Sequence, residues 1–74
     1  MLDAELEEIR KCAADIAMLA YETEKLCESA RKKGGNLTFY GKMITAAQAM
    51  QGLAKDLAKL ADDQEHYEIK NGSG

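Results

Sequence analysis

One spacing governs this chain. From Leu2 to Ala30, apolar or small residues recur in alternating steps of four and three: Leu2, Leu6, Ile9, Ala13, Ile16, Ala20, Thr23, Cys27 and Ala30. Only an α-helix brings such positions onto one face, and a heptad kept this long demands another helix against it. A neighbouring row, Cys12, Leu19 and Leu26, widens the stripe beyond a bare seam, so this helix has more than one surface to cover. Asp3, Glu5, Glu7 and Glu8 crowd its first turns, and Arg31, Lys32 and Lys33 close its last, both in the sense that suits the helix dipole. Gly34 and Gly35 then supply the left-handed stop. The spacing predicts a helix over 2–33.

The pattern resumes after a short break. Phe39, Met43, Ala46, Met50, Leu53, Leu57, Leu60, Gln64 and Tyr67 form a second stripe, which predicts a loop over 34–37 and a helix over 38–65. Asn36 or Thr38 can cap it, and no proline interrupts it. Beside the stripe runs a row of Ala47, Ala54 and Ala61, small enough to admit a second helix closely. Ile44, Gly52 and, on the first helix, Tyr21 fall on the outer sides. Residues 66–74 are polar and glycine-containing and read as a flexible tail, its closing Gly-Ser-Gly as an appended linker.

Two such helices on a loop of this size return antiparallel to one another. The expected fold class is all-α: two long antiparallel helices, a helical hairpin, forming the single domain over 1–65. Below ~80 residues a lone core rarely supplies more than a few kcal/mol, and apolar rows remain on both sides of the seams. The hairpin is therefore expected to assemble into a four-helix bundle or larger homo-oligomer, through Cys12, Leu19, Leu26, Ala47, Met50, Ala54 and Ala61.

Charge separates along the rod. Asp3, Glu5, Glu7 and Glu8 come beside Asp62, Asp63, Glu65 and Glu68 at one end, while Arg31, Lys32, Lys33 and Lys42 gather round the loop. A head-to-tail dimer would set each basic loop against its neighbour's acidic end. The net charge of −3 argues against a nucleic-acid binder, which needs a basic face. The longest apolar stretch, from Cys12 to Tyr21, is broken by Asp15 and falls short of the ~18 residues of a membrane span. The N-terminus has no secretory pattern. Cys12 and Cys27, about 22 Å apart on one helix, cannot bridge within the chain. They read as reduced thiols of a cytoplasmic protein, with an intermolecular disulfide or a metal site as the alternative.

Little in the sequence supports catalysis. His66 lies at the far end from Ser29 and Cys27, so no nucleophile has a base. Asp63 and His66 stand three apart, as in a di-iron half-site, but the first helix offers its inward stripe no carboxylate. No metal or cofactor is expected. The segment from Lys32 to Met43 has glycines, a fresh helix N-terminus and flanking cations, the ingredients of an anion site. It is not a P-loop: five residues, not four, separate Gly35 from Gly41-Lys42, and Met43 stands where Ser or Thr belongs. A phosphorylated small ligand would meet Arg31, Lys32, Lys33 and Lys42, with Phe39 and Tyr40 to stack on a base.

Two resemblances bear on this reading. Phe39 to Leu53, with Thr45 and Gln48 three apart and an alanine-rich continuation, resembles the second helix of small phage proteins. Those are helical hairpins that oligomerise and sequester cyclic-nucleotide signals of bacterial immunity. The resemblance implies a ligand held between protomers near the helix ends, where Arg31, Lys32, Lys33, Phe39 and Tyr40 lie. The basic residue those proteins carry before the aromatic has no counterpart here. Separately, the alanine, lysine and leucine periodicity from Ala13 to Leu60 is similar to paired helices of the vinculin and α-catenin group, which implies a bundle that binds other proteins.

Overall fold

A computed structural model describes residues 3–70, in which two helices, α1 (Asp3–Lys32) and α2 (Leu37–Lys70), pack against each other as a rod of 57 × 15 × 11 Å. The all-helical hairpin read from the spacing is the fold.

The turn follows from its glycines. Gly34 takes φ 94°, open to glycine and costly for any residue with a Cβ. Its N–H donates to the Arg31 carbonyl at 3.1 Å, and that of Gly35 to the Ala30 carbonyl at 2.8 Å, the paired bonds of a Schellman motif. A Cβ on Gly35 would come within 2.8 Å of that same carbonyl and 2.7 Å of the Tyr40 ring. Asn36 is the cap of α2: its Oδ1 accepts from the Phe39 N–H at 2.9 Å, and its carbonyl from the Tyr40 N–H at 3.0 Å.

The seam differs from the predicted one. On α1 only Leu6, Ala13, Ala20 and Cys27 are buried, one residue per heptad, while Ile9 and Ile16 lie half-exposed along its edge. On α2 the buried residues are Ile44, Ala47, Ala54 and Ala61. The predicted second stripe is turned aside: Phe39, Met50, Leu53, Leu60 and Tyr67 are exposed, while Met43 and Leu57 lie half-exposed along the edge as Ile9 and Ile16 do. Ile44, placed on the outside from the spacing, is 8% exposed and inside. Ala47, Ala54 and Ala61, expected between copies, are buried against α1. The reason is distance: alanine facing alanine lets the helices approach closely through the middle of the rod, whereas the Leu and Met row would hold them apart.

α2 also runs on to Lys70, beyond the predicted boundary at 65. His66 Nδ1 continues the local pattern by donating to the Asp62 carbonyl at 3.0 Å. The closing Gly-Ser-Gly lies outside the described residues.

Candidate functional site

The hairpin has two unlike sides. On one, polar side chains tie the helices together. Arg10 Nη1 donates to Asp62 Oδ1 at 2.8 Å, and its two terminal nitrogens to the two Glu65 oxygens at 3.1 and 2.9 Å. Glu7 stands 3.8 Å from the same guanidinium. Part of the repulsion expected at the acidic end is thus relieved within the chain. Further along, Gln51 and Gln48 each donate to Glu24, at 2.7 and 3.2 Å, so that both its oxygens accept from α2. The hydrogen bond from Arg10, and then its charge, hold the Glu65 carboxyl below its usual range. Those from Gln51 and Gln48 do the same for Glu24. Arg10 is pushed upward by Glu65 and Asp62 in turn.

The other side is apolar. Leu19, Thr23, Met43, Ala46 and Met50 line one shallow groove over the seam, and Ile16, Met50, Leu53 and Leu57 line the next. Each holds about 220 Å³. The helical period sets Cys12, Leu26 and Leu60 on this same side. The side chains are truly open: Leu19 is 63% exposed, Leu26 71%, Leu53 67% and Leu60 65%. Of the predicted interface residues, Cys12, Leu19, Leu26 and Met50 belong to this surface.

The loop end is a different place. Arg31 and Lys32 line a groove of about 470 Å³ with Leu37, but Glu28 lines it too. Phe39 and Tyr40, predicted to stack on a base, are not part of that lining. They meet each other edge to face, with centroids 5.1 Å apart at 80°, and Tyr40 rests over Gly35. Lys33 and Lys42 are exposed, and no ion pair joins either within the described residues. On the outer side of α1, Lys25 sits 5.1 Å over the Tyr21 ring and 3.3 Å from Glu28, whose hydrogen bond first and charge second raise its pKa.

Among the described residues there is no group of three or more His, Cys, Asp or Glu placed to hold a metal. No helix there is long and apolar enough to cross a membrane. Comparison with protein families, with curated proteins and with solved structures finds no match to this chain. What can be said of its function therefore comes from its own surface.

The sequence missed Arg10 and Glu24. Each lies beside the seam, not on it. The signal that could have found Arg10 is a cation among Glu7 and Glu8 that folding back sets against Asp62 and Glu65.

Proposed function

We propose that this chain is a non-catalytic binding protein of the cytoplasm, a protein–protein interaction and assembly module that works through its apolar side. The observation that carries this is the exposure of Leu19, Leu26, Leu53 and Leu60 along one side of the rod. Large apolar side chains left open in a row along one side are what a surface that meets a partner presents. The intrachain core is also thin. Of its eight buried residues five are alanine, and no large side chain is fully buried among the described residues. Such a core needs further burial to hold two long helices.

Light scattering behind a sizing column tests the reading, on purified protein and on extract of the producing cells. Wild type should run in species larger than the 8.1 kDa chain in at least one of them. Leu53→Asp should abolish those species. Wild type running as a bare 8.1 kDa hairpin in both would overturn it.

A second reading, sequestration of a nucleotide second messenger at the loop end as in the phage hairpins, is favoured by Arg31 and Lys32 lining one groove. Glu28 in the same groove and the mutual packing of Phe39 and Tyr40 favour it less. Titration calorimetry with cyclic and linear nucleotides separates the two. Heat that vanishes in a Lys32→Glu, Lys33→Glu variant would establish the ligand; none from wild type would remove it.

A further inference from the structure

We propose that the apolar side is covered by a second copy of this chain, turned end for end, to make a closed four-helix bundle. The proposal rests on the binding reading above and names its partner. Three observations lead to it.

The first is area. The rod is 57 Å long and 15 Å wide, so one face has a footprint of roughly 850 Å², room enough for the ~800 Å² of accessible surface each partner contributes to a standard stable interface. A short peptide or a single helix would leave much of it wet.

The second is periodicity. Cys12, Leu19 and Leu26 on α1 and Ala46, Leu53 and Leu60 on α2 repeat every seven residues. That is the spacing at which helices mesh knobs into holes, and a second copy brings the same spacing to meet it.

The third is charge, and it fixes the orientation. Two hairpins can close face to face about a two-fold axis in only two ways. An axis along the rod puts both loops at one end; an axis across it puts them at opposite ends. In both, every helix has antiparallel neighbours, so helix packing does not choose. The exposed charges do. Asp3, Glu5, Glu7 and Glu8 outnumber Arg10 and Lys11 among them, which pair with Glu7 and Glu8, and leave a net negative end far from Arg31, Lys32 and Lys33. With the loops together, like charges face like at both ends. With the loops apart, each basic loop lies against the partner's acidic end, and both ends are relieved.

Purified full-length chain tests this. In sedimentation equilibrium at tens of micromolar, wild type should have twice the mass of one 8.1 kDa chain. For orientation, Lys33→Cys in a Cys12→Ser, Cys27→Ala background carries a spin label at the loop. The two labels of a dimer should lie near the 57 Å length of the rod; loops at one end would put them about 20 Å apart, the width of two helices. Charge reversal needs no label. Lys32→Glu with Lys33→Glu should weaken the dimer several-fold, and in the loops-together arrangement it would not, since there it removes loop–loop repulsion. A monomeric wild type, or a closed species larger than two chains, overturns the dimer. Short label distances or an unweakened charge variant overturn the orientation. The binding reading survives any of these if extract still yields a complex that Leu53→Asp abolishes, and fails only if it does not.

Discussion

Arg10 grips Glu65 with both arms of its guanidinium, 3.1 and 2.9 Å from the two carboxylate oxygens, across residues that stand 55 positions apart in the chain. The same group reaches Asp62 at 2.8 Å. It thereby pins the open end of the hairpin, farthest from the covalent turn. Nearer the turn, Glu24 does the matching work from the acceptor side, taking hydrogen bonds from Gln48 and Gln51. Both clusters lie on the side away from the exposed leucines, so one side of the rod holds the helices together and the other is left apolar.

Acid should loosen this rod in a definite window. Glu24 and Glu65 have folded-state pKa values below the ordinary 4.5. For a depressed carboxylate, the stabilisation is fully present above the unfolded value and is lost as pH falls through the folded one. Thermal melts followed by circular dichroism should therefore be flat from neutral pH down to about 5 and fall below 4.5. Arg10→Met should melt a few degrees lower than wild type at neutral pH, with the gap closing at the acid end, where the partner carboxyls are neutral in both proteins. A gap unchanged by acid would mean that Arg10 acts through packing of its stem.

The rotation of α2 can be tested by substitution. With Ile44 in the seam and Met43 beside it, Ile44→Ala should destabilise by about 2 kcal/mol, the low end for a large-to-small core change, in urea unfolding. Ala54→Leu should cost about 1–3 kcal/mol, because the helices would have to move apart to admit it. A neutral Ala54→Leu would mean that the larger row faces inward.

The sequence made some of this legible for reasons particular to each residue. Gly34 and Gly35 mark the turn because few other residues can serve there, and Asn36 caps α2 because its side chain is short enough to reach the Phe39 N–H. The α1 seam is legible because Leu6, Ala13, Ala20 and Cys27 hold one heptad row of its stripe from end to end. In α2 the choice of row is open. Two adjacent heptad rows, one of alanine and one of Leu and Met, both satisfy the period, and hydrophobicity favours the larger side chains. Closeness of approach favours the smaller, and that quantity belongs to the pair of helices, not to either alone. Arg10 and Glu24 were hidden for the same reason: their partners are on the other helix. The apolar side is legible only in part, through Cys12, Leu19, Leu26 and Met50, since the rest of its α2 half satisfies the period of a seam equally well.

The glycines should differ in sign. Gly34→Ala puts a Cβ into a left-handed backbone and should cost about 1–2 kcal/mol. Gly35→Ala should cost at least as much, because the Ala30 carbonyl it meets is held in the last turn of α1 and cannot yield. Gly52 has nothing within 4 Å of where a Cβ would stand and lies in the middle of α2. Gly52→Ala should stabilise by up to about 1 kcal/mol, the helix-propensity difference. Urea midpoints rank the three; a destabilising Gly52→Ala would point to a close contact on the outer side of α2.

The two thiols report on different surfaces and can be read together. Cys27 is buried in the seam and Cys12 is exposed on the apolar side. In a dissociated hairpin, Cys12 should react with a disulfide reagent at an ordinary exposed-thiol rate, while Cys27 waits for the helices to separate. If a second copy covers the apolar side, the Cys12 rate should fall as protein concentration rises through the dimer dissociation constant. Leu53→Asp should abolish that dependence. The Cys27 rate should track hairpin stability, rising in Ile44→Ala and falling in Gly52→Ala. A Cys12 rate independent of concentration in wild type, with Cys27 protected as described, would leave the hairpin intact and show that the apolar side is not where copies meet.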